Sequence, residues 1–236
     1  MEKFIEVKNV TKTYIVGDKK FNALNGISFD IEKGEFVVIL GPSGAGKSTL
    51  LNVLGGMDNI TSGSIIIDSK HIEKYNKNEL TNFRANDVGF IFQFYNILPT
   101  LTVLENVDIV KDIVKNPKKS IDVLKQVGLK NHINKFPNQL SGGEMQRVSI
   151  ARAIAKNPKV LLCDEPTGAL DSKTGVEVLK LLKEQCNDEN GNNTVIIVTH
   201  NSLIAEIADK VIHIKNGEIE SITKNKHPKN IDEVIW

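Results

Sequence analysis

The sequence predicts an α/β fold interrupted by a helical insertion, and three observations carry that prediction. Phe36–Leu40, Val160–Cys163 and Thr194–Thr199 are short continuous apolar runs, the pattern of strands buried on both faces of a sheet. The first of these runs passes through a glycine-rich segment, Gly41–Ser48, straight into a helical pattern. From about Thr102 to Lys156 the pattern is helical with almost no strand signal, and the last two apolar runs follow it.

The elements follow in chain order. Phe4-Ile5-Glu6-Val7 and Ile27-Ser28-Phe29-Asp30-Ile31 alternate as half-buried strands do. Gly41–Thr49 is a loop opening onto a helix that runs through Leu54. Ser64–Asp68 and Val88–Gln93 read as strands, separated by a polar helical stretch around Asn78–Arg84. In the insertion, Val103, Leu104 and Val107, then Ile121, Val123, Leu124 and Val127, have helical spacing. Met145, Val148, Ala151, Ile154 and Ala155 form one helix face, and Asn157-Pro158 stops that helix. A helix over Gly175–Gln185 joins the last two buried strands. Thr223–Trp236 mixes lysines, a proline and an apolar end, and is expected to be a frayed tail.

Composition excludes several classes. The chain has 236 residues, 40% hydrophobic and 25% charged, which is ordinary globular composition with enough length for a substantial core. A formal net charge of +1 gives no electrostatic case for nucleic acid. The two cysteines, Cys163 and Cys186, have no metal-ligand spacing and read as reduced thiols of a cytosolic protein. The N-terminus lacks the apolar core of a signal peptide. No stretch reaches the roughly 18 uninterrupted apolar residues of a spanning helix. The uncharged run Val88–Leu104 is interrupted by Gln93, Asn96, Pro99 and two threonines. If the protein works at a membrane, another chain is expected to cross it.

Three motifs carry chemistry. Gly41-Pro42-Ser43-Gly44-Ala45-Gly46-Lys47-Ser48 fits G-x-x-x-x-G-K-[ST] between a predicted strand and a predicted helix, the context that a phosphate-binding loop requires. Its glycines let consecutive amides point inward, Lys47 brings a point charge to the β and γ oxygens, and the Ser48 hydroxyl is a hard ligand for Mg²⁺. Asp164-Glu165 ends a buried strand, and ligands of open parallel sheets bind beyond such ends. One carboxylate suits the Mg²⁺ water shell and the next suits an attacking water. Leu140-Ser141-Gly142-Gly143-Glu144-Met145-Gln146-Arg147 starts a helix with a capping box between Ser141 and Glu144. Its two glycines are expected to admit a ligand close to the backbone, and a helix start of this kind is an anion site.

The order of these motifs, with Thr199-His200 after the last buried strand, resembles the ATPase domains of ABC transporters over about residues 4–222. The resemblance implies a P-loop NTPase core, with a mixed sheet flanked by helices and a small antiparallel β subdomain. In it, about 1–93 and 157–222 form the core, about 94–156 form an α-helical subdomain, and 223–236 are a tail. It also implies a head-to-tail homodimer that sandwiches two ATP molecules between the phosphate loop of one copy and Ser141–Glu144 of the other. Carried over by residue, Gly41–Thr49 would hold ATP, and Ser48, Gln93 and Asp164 would meet Mg²⁺. Glu165 resembles the catalytic base, His200 the histidine that contacts the γ-phosphate, and Gln93 the glutamine that touches Mg²⁺ and water. Asp171, in Gly168-Ala169-Leu170-Asp171, resembles the loop that crosses the dimer interface. Tyr14 stands where the family has an aromatic that stacks on adenine. Two positions depart from the pattern: Gly168 replaces a common serine, and Glu144 replaces a common glutamine while still completing the capping box.

Gly89-Phe90-Ile91-Phe92-Gln93 and Leu98–Val107 are similar to the macrolide-exporter and lipoprotein-release subgroup. That similarity implies an ATPase on the inner face of the cell membrane, attached to a separate permease, with peptides, lipoproteins or drugs as cargo. The alternative is the ATPase of a non-transport complex, regulating cell-wall hydrolases or acting in solution. A DNA-maintenance ATPase would need a long coiled coil between its halves, which this chain lacks. Phe92, Phe94, Tyr95, Ile97 and Leu98 exceed what one strand buries. They either form an exposed patch for a permease helix or pack beneath the insertion.

Overall fold

The computed structural model describes residues 3–186 and 193–234. Two long strands, β1 (Lys3–Val16) and β2 (Lys19–Glu32), open the chain as an antiparallel hairpin whose turn uses Gly17 at φ +60°. The sequence pattern marked only Phe4–Val7 and Ile27–Ile31, because those pieces are buried while the hairpin tip runs out into solvent. Ile15, Val16 and Phe21 at the tip are all exposed, so no alternation was there to read. β3 (Phe36–Leu40) leads into α1 (Lys47–Leu54), followed by β4 (Ser62–Ile67) and the two-residue β5 (Lys70–His71). These last two join the hairpin in a four-stranded antiparallel sheet of order β2-β1-β4-β5.

After α2 (Lys77–Asn86), β6 (Val88–Ile91) ends two residues earlier than the expected strand and leaves Phe92 and Gln93 in a loop. The insertion contains α3 (Val103–Asp108), α4 (Ser120–Gln126) and α5 (Gly142–Ala155), joined by short 3₁₀ turns. Asn157 closes α5 in the left-handed region at φ +54°. Capping boxes start α2, α3 and α5, through Asn76/Glu79, Thr102/Glu105 and Ser141/Glu144. The chain then continues through β7 (Val160–Asp164), α6 (Ser172–Cys186) and β8 (Thr194–Thr199) to β9 (Lys210–Lys215) and β10 (Glu218–Lys224). The second sheet has the order β10-β9-β3-β8-β7-β6, parallel except for the antiparallel edge pair β9 and β10.

The three central strands of this sheet are buried on both faces and divide their side chains between two cores. Phe36, Val38, Leu161, Cys163, Val195 and Ile197 face the helices α3 to α6. Val37, Ile39, Val160, Leu162, Ile196 and Val198 face α1 and the antiparallel sheet. The period of two along a strand produces this partition directly. Both cysteines are free and buried, and burial pushes both thiols up from their ordinary range. Among the described residues no helix is long and apolar enough to cross a membrane.

At the C-terminal end the structure adds two strands that were not expected and corrects one expectation. β9 and β10 escaped the sequence reading because charged residues flank and interrupt them. Lys210 is 1% exposed, yet its ammonium donates to Glu35 Oε2 at 2.7 Å and to the Asp30 carbonyl at 2.8 Å, which satisfies it inside. The tail is not frayed over its described part. Ile231 and Val234 are buried against the helical core, Lys229 pairs with Glu206 at 2.8 Å, and Lys180 pairs with Asp232. Two apolar residues three apart on a single turn are enough to dock the segment but too few to show periodicity. Residues 235–236 lie outside the described residues. Ile231→Ala is expected to lower the unfolding free energy by about 2–4 kcal/mol in urea titration, the cost of a core truncation. An unchanged midpoint would mean that the tail contributes no packing.

Candidate nucleotide site

The phosphate loop is shaped by close packing on both sides. A Cβ at Gly41 would come within 2.2 Å of the Ile214 carbonyl oxygen, so β9 leaves room only for glycine there. Gly46 caps α1 at φ +100°, and a Cβ on it would meet the Ala23 carbonyl at 2.4 Å. The loop is therefore wedged between the two sheets. Lys47 is 9% exposed and donates to the carbonyls of Gly41 (2.7 Å) and Pro42 (2.9 Å), folding its ammonium back over the loop.

β7 and β8 deliver the acidic pair and the histidine to the same end of the sheet. Ser48 Oγ donates to Asp164 Oδ1 at 3.3 Å. Burial pushes the Asp164 carboxyl above its ordinary range, opposed by that hydroxyl. Glu165 adopts φ +46°, a strained conformation for a residue with a side chain. Both of its oxygens are held: Oε1 contacts the His200 ring Nδ1 at 2.7 Å and accepts from the His200 amide at 3.0 Å. Oε2 accepts from the Thr199 hydroxyl at 2.9 Å. The carboxylate is thus clamped by the turn that follows β8.

These groups line one cleft of about 700 Å³. Its walls carry Ser43, Gly44, Gly46, Lys47, Ser48 and Thr49 of the loop, together with Gln93, Asp164, Glu165 and His200. Gly41, Pro42 and Ala45 of the same loop do not line the cleft. Ser48, Asp164 and Gln93 offer oxygen donors of the kind Mg²⁺ takes. Among the described residues no group of three His, Cys, Asp or Glu could hold a metal by itself. The donor set therefore fits Mg²⁺ only when phosphate and water complete its shell. Gly168, the substituted position, makes room for Gln93: a Cβ there would come within 3.1 Å of Gln93 Nε2.

Three sequence-predicted groups lie elsewhere. Ser141, Gly142, Gly143 and Glu144 start α5 and do not line this cleft. The capping box forms, with the Ser141 amide donating to Glu144 Oε2 at 2.7 Å and the Glu144 amide to Ser141 Oγ at 3.3 Å. His132 Nδ1 stands 2.9 Å from the other Glu144 oxygen. The two glycines have a different local reason from the one expected. A Cβ on Gly143 would meet Thr174 Cγ2 at 2.1 Å, and one on Gly142 would meet the Tyr95 hydroxyl at 2.9 Å. Their missing side chains are taken up by neighbours in the same chain. Asp171 accepts from the Thr174 amide and hydroxyl, at 3.1 and 2.7 Å, and so starts α6. Tyr14 also stays off the cleft wall: its hydroxyl donates to Asp58 Oδ2 at 2.7 Å, and Lys12 Nζ sits 4.8 Å above its ring.

The sequence reading missed two residues. Gln146 is fully buried, and its amide nitrogen donates to the Pro166 carbonyl at 2.9 Å and the Phe92 carbonyl at 3.3 Å. It ties α5 to the loops that carry Glu165 and Gln93, and no local signal separates such a glutamine from a solvated one. Phe21 lines the cleft from the hairpin tip. The apolar cluster after β6 divides. Phe92 stacks on Phe90 at 5.5 Å and Ile97 packs on the helical core. Tyr95 is half-buried, while Phe94 and Leu98 remain exposed. Asn106, fully buried, holds that loop through the Leu98 amide (2.7 Å) and the Leu98, Leu101 and Thr102 carbonyls (each 3.0 Å).

Residues 24–168 match the family model described as ABC transporter. A putative ABC transporter ATP-binding protein of Mycoplasma pneumoniae is 47% identical over the whole chain, which spans 51% of that relative's length. The macrolide export ATP-binding/permease protein MacB of Campylobacter fetus is 45% identical over 93% of the chain and 35% of its own length. The ATP-binding cassette MJ0796, from Methanocaldococcus jannaschii, has been solved as a post-hydrolysis dimer bound to ADP and Pi. Its structure superposes with a TM-score of 0.84 at 43% identity, covering 93% of this chain and 98% of that one. By its motifs, its fold and these likenesses, the chain belongs to the ABC transporter family.

Proposed function

We propose that the chain binds and hydrolyses ATP to power a separate membrane permease that exports or extracts peptides, lipoproteins or drugs. The observation that carries this reading is the convergence of Lys47, Ser48, Asp164, Glu165, His200 and Gln93 on one cleft, with Glu165 clamped by Thr199 and His200. The loop amides and Lys47 hold the triphosphate and neutralise charge as it develops on the transferred group. Mg²⁺, which Ser48, Asp164 and Gln93 would hold, would supply further charge neutralisation on the phosphates. Glu165 accepts a proton from the attacking water, and the His200 ring exchanges its contact with Glu165 for the γ-phosphate. Adenine stacks beside Tyr14.

Ser141–Glu144 are off the cleft of their own chain and serve the nucleotide of a second copy, in a head-to-tail dimer formed with ATP. The solved cassette MJ0796, itself dimeric, supports that reading. MacB, whose name joins ATP-binding to permease, supports a permease partner. The exposed pair Phe94 and Leu98, on a loop fastened by Asn106, is the surface on which the permease sits. The protein then works at the inner face of the membrane through that contact.

Three outcomes test this reading. Glu165→Gln should retain ATP affinity, lose turnover by about 10²-fold or more and accumulate an ATP-bound dimer on size exclusion, whereas Lys47→Ala should lose nucleotide binding. Parental turnover in Glu165→Gln would reassign the base. Ser141→Arg should bind ATP normally in calorimetry yet remain monomeric in the Glu165→Gln background; dimerisation there would remove Ser141 from the interface. Phe94→Glu with Leu98→Glu should leave the ATPase rate of the isolated chain intact and abolish co-purification with the permease, and retained co-purification would sink the docking surface.

A further inference from the structure

We propose that Phe21 is a second aromatic contact for the purine base, acting beside Tyr14 and setting the affinity for nucleotides that carry a planar base. This rests on the reading of the cleft as an ATP site and deepens it. The argument starts from the hairpin. The Ala23 carbonyl lies against Gly46, so β2 presses directly on the phosphate loop. Phe21 is two residues along the same strand, beyond a break in the hairpin register at Ala23, and both residues line the cleft. Two residues of strand advance about 6–7 Å, which carries the wall from the phosphate end toward the hairpin tip.

The rest of the lining is polar or small, and an apolar ring that is 56% exposed stands out against it. Across the hairpin its register partner is Tyr14, so the two rings arise side by side on one face. Tyr14 is already engaged: its hydroxyl is pinned to Asp58 and the Lys12 ammonium covers its ring. Among the described residues no ring or cation packs on Phe21. A flat apolar face without a partner, beside a phosphate site, is suited to a base whose π-face stacks on it or meets its edge. A phenyl ring has no hydrogen-bonding group, so it holds adenine and guanine alike.

The test is calorimetric titration of the full chain and of Phe21→Ala with ATP, GTP and inorganic tripolyphosphate, each with Mg²⁺. The expected result is that Phe21→Ala weakens ATP and GTP about tenfold each, within the range of base–aromatic stacking. Tripolyphosphate should stay within about twofold of the parent, and Phe21→Tyr should restore ATP affinity. ATP affinity unchanged in Phe21→Ala would overturn the proposal, as would an equal loss for ATP and tripolyphosphate, which would make Phe21 a support of the loop. Failure of the parent chain to bind ATP, with Lys47→Ala no different, would overturn the nucleotide reading itself and this proposal with it.

Discussion

The burial of β3, β8 and β7 on both faces is the constraint on which the rest of the structure depends. A strand with no polar face must be covered twice, and each covering layer needs its own apolar partner. One face is covered by α3 to α6, the other by α1 and the antiparallel sheet. The same parallel pairing lines up the ends of the strands. Leu40 pairs with Thr199, and Asp164 with Val198, so the phosphate loop, the acidic pair and the histidine emerge at one edge. The cleft is a consequence of the two cores.

Tight packing at a few glycines then fixes how the site is presented. Gly41 and Gly46 let the phosphate loop sit between β9 and β2 without a side chain in the way. Gly143 and Gly142 let α5 approach Thr174 and Tyr95. Gln146, buried in the same helix, adds hydrogen bonds to the loops bearing Glu165 and Gln93. Any rotation of α5 is therefore felt in the loops that carry Glu165 and Gln93, because a buried amide that loses its partners is costly. The start of α5 lies off the cleft, yet Gln146 bonds this helix to two loops beside it.

Much of the candidate site was legible in order along the chain. The G-x-x-x-x-G-K-S loop needs its residues contiguous, since successive amides must wrap one phosphate chain. Asp164-Glu165 and Thr199-His200 sit at strand ends, where a run of apolar residues announces them. The capping box at Ser141 and Glu144 is local chemistry and formed as expected. The hairpin tip, β9, β10 and the tail were not legible, because their residues gain burial or partners only from distant segments. Lys210 is the plainest case, a lysine whose position inside depends on Glu35 and the Asp30 carbonyl.

The sequence by itself determined the α/β class, the phosphate loop, the acidic strand end and the helix caps, since each rests on periodicity or on interactions spanning a few residues. Tertiary structure alone decided the rest. It clamped Glu165 between Thr199 and His200, kept Tyr14 on Asp58 while turning Phe21 into the cleft, split the apolar cluster after β6 into packed and exposed halves, and docked Ile231 and Val234 on the helical core. Each of those outcomes compares the environments of residues far apart in the chain. Such a comparison acquires a value only when packing has brought the two surfaces into contact.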